Sequence, residues 1–137
     1  MAKRVLVVDD HPAARSVIRS ILETEKSQTY QVTEAATGGD CLKAVAQEGP
    51  FDLILLDVKL PDMDGYDVCR AVREVETQVP IVFITGQGDL RDFASGRQAG
   101  ADSYLVKPVS RMALRSIAQL FTTLQRSQAS EDAEPAQ

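Results

Sequence analysis

Four apolar runs in this sequence stop at residues that can do chemistry. VLVV ends at Asp9 and Asp10, DLILL at Asp57, IVFI at Thr85, and SYLV at Lys107 and Pro108. Two adjacent carboxylates repel by about 1 kcal/mol at 4 Å in water, and by several times that where water is scarce. A strand end needs no such pair, so the acids imply a cation. Carboxylate oxygens select Mg²⁺ or Ca²⁺ over zinc. Mg²⁺ takes one or two carboxylates, keeps several waters and bridges to phosphoryl groups. A carboxylate can itself accept a phosphoryl group, forming an aspartyl phosphate. In that chemistry Lys107 and Mg²⁺ stabilise the charge on the transferring oxygens, and Thr85 hydrogen-bonds one of them.

These residues must be brought together by the elements that carry them. Arg4–Val8, Tyr30–Ala35, Asp52–Leu56, Pro80–Ile84 and Ser103–Val106 read as strands. The segments between and after them read as helices: Pro12–Lys26, Gly39–Glu48, Tyr66–Glu76, a weak Asp89–Ala99 and Ser110–Arg126. Pro12 suits a first helical turn, where its missing N–H is no loss. Apolar stripes are expected at Val17, Ile18, Ile21 and Leu22, at Val68, Cys69, Val72 and Val75, and at Ala113, Ile117, Leu120, Phe121 and Leu124. Alternation of this kind predicts a five-stranded parallel sheet with helices on both faces. Every strand of such a sheet ends at one edge, where ligands bind. The acids, Thr85 and Lys107 all fall at that edge.

Composition narrows the classes. The chain has 137 residues, 44% of them apolar, enough for the core of one domain. Its formal charge of −5 argues against direct nucleic-acid binding. No apolar run approaches a membrane span, and the stretch MAKRVLVVDDH meets two acids and has neither the apolar core nor the cleavage site of a signal peptide. Cys41 and Cys69 stand apart, without CxxC, and read as small buried thiols of a reducing compartment, so the cytoplasm is expected. His11 adjoins the acids, but Mg²⁺ prefers oxygen, and the ring is expected at the rim. The segment DMDGYDVCRAVR fails as a calcium loop: counted from Asp62, glycine comes fourth and the twelfth residue is Arg73. Gly86 and Gly88 are not followed by GK[ST], so they form no nucleotide loop; Gly86 is expected to keep space open beside Thr85.

Taken in order, VLVVDD, DLILLDVKLPDMDG, IVFITG and AGADSYLVKP resemble the receiver domain of two-component response regulators. The likeness covers about Arg4 to Arg126. It implies a flavodoxin-like (βα)5 fold with strand order 2-1-3-4-5. It implies that Asp57 is the phosphoacceptor. Mg²⁺ would lie on the Asp10 and Asp57 carboxylates and the Lys59 backbone carbonyl, with Asp9 acting through a water. Thr85 and Tyr104 would form a switch pair, Lys107 would contact the phosphoryl group, and the Lys107–Pro108 bond would be cis. Lys59 and Gln87 would flank the site and tune how long the phosphoryl group survives. A haloacid-dehalogenase-like phosphatase also uses an aspartate nucleophile on a parallel sheet, but it wants DxD after the first strand, where this chain has DD.

The expected function is therefore a phosphorylatable signalling switch, not an enzyme on other substrates. It would accept its phosphoryl group from a sensor histidine kinase, a phosphotransfer protein or a small donor, and later hydrolyse it. The face made by the fourth helix, fifth strand and fifth helix would then change and control a downstream protein. The fourth helix is the expected mobile element, because Ser95 and Gly96 weaken it and its stripe of Leu90, Phe93 and Ala94 is thin. Residues 1–126 are expected to form the receiver, and 127–137 a disordered acidic tail or the start of a linker. The second reading is a receiver cut from a longer regulator with a DNA-binding or enzymatic effector.

Overall fold

A computed structural model describes residues 2–86 and 93–124. Five strands alternate with five helices: β1 (Lys3–Val8), α1 (Pro12–Glu23), β2 (Tyr30–Ala35), α2 (Gly38–Glu48), β3 (Leu53–Asp57), α3 (Gly65–Val75), β4 (Ile81–Thr85), α4 (Phe93–Ala99), β5 (Ser103–Val106) and α5 (Arg111–Leu124). All strands are parallel, in the order β2-β1-β3-β4-β5. The expected fold class and strand order hold. Residues 87–92 and 125–137 lie outside the described chain, and with them Gln87, Gly88, Leu90 and the acidic tail.

The sheet is covered on both faces, which is why its central strands are continuous apolar runs. Alternation along each strand divides them. Val5, Val7, Leu53, Leu55, Val82 and Ile84 pack with Ile18, Ile21 and Leu22 of α1 and Leu114 and Ala118 of α5. Leu6, Val8, Ile54, Leu56, Ile81 and Phe83 face Cys41 and Ala44 of α2, Val68, Cys69 and Val72 of α3, and Ala99 of α4. Both cysteines are buried thiols outside any disulfide, the Cys69 thiol donating to Ala99 O at 3.3 Å, and burial pushes Cys41 up to about 12, which keeps it protonated.

Some expectations need correction. Val17, Val75 and Leu120 are 56%, 74% and 49% exposed, so each sits at the margin of its stripe and not in the core. On α5 the fully buried residues are Leu114, Ala118 and Thr122, while Ala113, Ile117 and Phe121 of the expected stripe pack half-buried against the same core. α1 stops at Glu23, where the Thr24 hydroxyl turns back to the Ser20 carbonyl at 2.6 Å. β3 and β4 each run one residue further than read, so Asp57 and Thr85 are themselves strand residues. Two X-Pro bonds are cis, the expected Lys107–Pro108 and also Gly49–Pro50.

The two-sided core predicts that Leu55→Ala, at a fully buried position, costs about 2–5 kcal/mol. Val75→Ala should stay within about 0.5 kcal/mol of wild type. Urea unfolding of the two variants checks this ranking.

Candidate functional site

At the carboxyl edge of the sheet, β1 delivers Asp9 and Asp10, β3 delivers Asp57, and the turn after β5 delivers Lys107. Asp9 and Asp57 are 2% and 6% exposed. The Lys107 ammonium bridges them, donating to Asp9 Oδ2 at 2.9 Å and Asp57 Oδ2 at 3.0 Å. Each carboxylate also accepts a backbone N–H on its other oxygen. His11 N–H reaches Asp9 Oδ1 at 2.9 Å, and Lys59 N–H reaches Asp57 Oδ1 at 3.0 Å. Asp10 is half-exposed beside the His11 ring, 3.1 Å away. Ligand atoms of Asp9, Asp10, His11 and Asp57 all lie within 4.8 Å of one another.

Two buried acids cannot both be satisfied by one ammonium. Burial pushes Asp57 above its ordinary value, and the nearby Asp9 charge adds to the rise; Lys107 and the Lys59 N–H offset part of it. Burial also pushes on Asp9, but the His11 N–H, Lys107 and the His11 ring outweigh it and hold the carboxyl below the ordinary range. Burial disfavours the Lys107 ammonium, yet its two carboxylate partners raise it overall.

The turn after Asp57 explains the run PDMDG that failed as a calcium loop. Gly65 N–H donates to Val58 O at 2.7 Å, folding the chain back on the strand end. A Cβ on Gly65 would stand 2.5 Å from the Asp57 carbonyl, so no other residue fits. Asp64 caps α3 through Tyr66 N–H at 2.8 Å. Asp62 accepts Gly38 N–H at 2.8 Å and Gly39 N–H at 2.9 Å, tying the turn to the first turn of α2. The carboxylates in this segment thus cap helix N-termini, while a backbone bridge pairs Lys59 with Asp64.

Thr85 is buried at the end of β4, and its hydroxyl donates to Gly86 O at 3.2 Å. Lys107 N–H donates to Thr85 O at 2.8 Å, which fixes the two strand ends side by side. Tyr104 pairs with Phe83 in register, with ring centroids 5.8 Å apart, and Phe83 meets Tyr66 edge-on at 5.0 Å. A Cβ on Gly96 of α4 would overlap the Tyr104 hydroxyl. Gly96 therefore leaves the notch that Tyr104 occupies, a reason beyond helix weakness.

The model of the response regulator receiver domain matches residues 5–119. The chain belongs to this family. It is 44% identical over 109 residues to a probable transcriptional regulator ycf27 of Cyanophora paradoxa, covering 79% of this chain and 43% of that protein. It is 40% identical over 107 residues to the transcriptional regulatory protein ResD of Bacillus subtilis, covering 78% of this chain and 42% of that protein. The chain thus spans less than half the length of these curated relatives. Its fold matches a CheY-like receiver domain protein from Methanospirillum hungatei with a TM-score of 0.83 and 32% identity, over 96% of this chain and 99% of that one. The receiver family belongs to two-component signalling, and no helix among the described residues is long and apolar enough to cross a membrane.

Asp9, Asp10, Asp57, Lys107 and the Lys59 peptide come together as expected, with Thr85, Gly86 and Pro108 at the same edge. Gln87 lies outside the described residues. Sequence reading missed Asp62, Asp64 and Gly65 as framework, Arg15 behind Asp9, and Gly96 as the seat of Tyr104. An Asp just before an apolar helical stripe signals an N-cap, which would have found Asp64; the partners of the others are distant in sequence or show only in the packing, and nothing local marks them.

The acid pair sets a pH signature. With its folded pKa above 3.8, Asp57 lowers stability as pH rises from the unfolded value through the folded one. Asp9 runs the other way: its contribution is present above 3.8 and is lost as pH falls through its depressed folded pKa. Asp57→Asn should therefore melt above wild type at neutral pH in metal-free buffer, with the advantage shrinking as pH falls through the folded pKa of Asp57. Thermal melts across the acid range check both the sign and the trend.

Proposed function

We propose that this receiver domain is a phosphorylatable switch in which Asp57 accepts a phosphoryl group with Mg²⁺ bound. The observation that carries this reading is the buried Asp57 carboxylate, held between the Lys107 ammonium at 3.0 Å and the Lys59 N–H at 3.0 Å. The donor set fits a hard cation, being carboxylate oxygens from three residues within 4.8 Å. Asp10, Asp57 and the Lys59 carbonyl would hold Mg²⁺, with Asp9 acting through a water. When bound, the ion supplies positive charge opposite the transferring oxygens.

An Asp57 oxygen attacks phosphorus, and the donor's bridging bond breaks with its electron pair leaving on the donor. Lys107 then moves from the Asp57 carboxylate to a phosphoryl oxygen, a shift of partner within its present reach. Thr85 gives up the Gly86 carbonyl and donates to the phosphoryl group. Tyr104, seated on Gly96, follows Thr85, and the α4–β5–α5 face changes to control a protein partner. Hydrolysis of the aspartyl phosphate resets the switch, so the chemistry is confined to the domain itself. Lys59 flanks the incoming water and tunes the lifetime; Gln87, expected to share that role, lies outside the described residues.

The phosphodonor would be a cytoplasmic histidine kinase or phosphotransfer protein. A hollow of about 470 Å³ lined by Ala14, Val17, Ile18, Ile84, Lys107, Pro108 and Val109 adjoins the site and offers an apolar seat beside the ammonium. One fact favours a second reading, a receiver within a longer DNA-binding regulator: the chain covers 43% of its ycf27 relative, whose name is that of a probable transcriptional regulator. The complete coding sequence discriminates the two.

Incubation with acetyl phosphate and Mg²⁺ should add one phosphoryl group by intact mass. Chelation of Mg²⁺, or Asp57→Ala, should abolish the adduct. An adduct that persists in Asp57→Ala would contradict the assignment.

A further inference from the structure

Arg15 is the one guanidinium of α1 that reaches the acidic corner. Its Nη1 donates to the Asp9 carbonyl oxygen at 2.7 Å, and its Nε donates to Glu34 Oε1 at 2.8 Å. The side chain is 16% exposed, so this is not a loose surface pair. Glu34 sits on the edge strand β2, in register with Val7 of β1. Arg19 occupies the other oxygen of Glu34 and also donates to Val32 O at 2.9 Å. The Glu34 carboxylate thereby holds Arg15 from the side, and Arg15 reaches across to the end of β1.

We infer that Arg15 is a positioning residue for the metal site, acting through the peptide that joins Asp9 to Asp10, and that Glu34 holds Arg15 in place. The inference rests on the Mg²⁺ reading above. Asp9 is aimed by its own carboxylate contacts, to His11 N–H and Lys107. Asp10 is different: its carboxylate contact is the His11 ring, which is 70% exposed and adds little constraint. What aims Asp10 is its backbone. That backbone is fixed by Asp9 N–H on Ala35 O at 3.1 Å, by Arg15 N–H on His11 O at 3.2 Å and by the Arg15 guanidinium on Asp9 O. The guanidinium sets the peptide plane from which the Asp10 side chain departs.

Electrostatics pulls in the opposite direction. A fixed positive charge near a cation site weakens cation binding, since like charges repel. If Arg15 were merely a nearby charge, removing it would tighten Mg²⁺. If it positions Asp10, removing it weakens Mg²⁺, because groups behind the ligands typically change metal affinity about tenfold or more. If it only ties α1 to β2, its loss lowers stability and leaves Mg²⁺ affinity unchanged. The three roles have three different signs.

The test is a Mg²⁺ titration of the ¹⁵N-labelled 137-residue chain, followed at the Lys59 amide that donates to Asp57, with melting temperatures measured in the same buffer. Arg15→Ala should weaken Mg²⁺ about tenfold. Arg15→Lys, which keeps the charge but not the fork, should fall between Arg15→Ala and wild type. Glu34→Gln should weaken binding with both arginines intact. Unchanged or tighter Mg²⁺ binding in these variants overturns the inference, even if stability falls. Should Arg15→Ala fail to fold, Arg15→Lys and Glu34→Gln decide. Asp10→Asn is the control: if it binds Mg²⁺ as wild type does, or if wild type shows no Mg²⁺ response, the metal reading itself fails and takes the inference with it.

Discussion

One ammonium shared by two buried carboxylates is the constraint on which the rest of this site depends. Lys107 lies within 3.0 Å of both Asp9 and Asp57. Its single charge cannot offset two, and the remaining imbalance appears as opposite displacements of the two acids. A corner of this kind is poor for stability, and a bound divalent cation would relieve it. Functional sites commonly carry a cost of this sort, which the surrounding core must over-determine.

Here the surrounding structure does so with backbone geometry. Gly65 brings the turn after β3 to within contact of the Asp57 carbonyl. Asp62 and Asp64 spend their carboxylates on helix N-termini, where peptide N–H groups lack partners. At the far end of β4 and β5, Arg73 donates to Gly100 O at 3.0 Å and pairs with Asp102 at 3.1 Å, and Asp102 in turn accepts Ile81 N–H at 2.9 Å. The base of the α4–β5 turn is thus pinned to α3 and β4, while the Tyr104 ring rests in the notch left by Gly96 above it.

Much of this was legible in the sequence because it follows from strand endings. DLILL stopping at Asp57 and SYLV stopping at Lys107 are local patterns, and parallel topology brings their ends together. Helix margins were less legible. Val17, Val75 and Leu120 fit a helical period yet face solvent, because periodicity fixes a face and not the depth to which a neighbour covers it. Arg15 was invisible for another reason: its partners, the Asp9 carbonyl and Glu34, are non-local, and no spacing rule pairs an α1 arginine with an edge-strand acid. Gly96 read as a weak helix former, and only the Tyr104 ring beside it shows what the missing Cβ is for.

The central claim is that the Asp9, Asp10 and Asp57 corner is built to take a divalent cation. The most direct measurement is the melting temperature of wild type and Asp10→Asn with Mg²⁺ titrated against a Ca²⁺- and Mg²⁺-free reference. Preferential binding to the folded state stabilises by about 2.7 kcal/mol at a concentration 100 times the Kd. The account predicts a saturable Mg²⁺-dependent rise for wild type that is largely lost in Asp10→Asn. A wild-type melting temperature indifferent to Mg²⁺, or the same rise in both proteins, would contradict it.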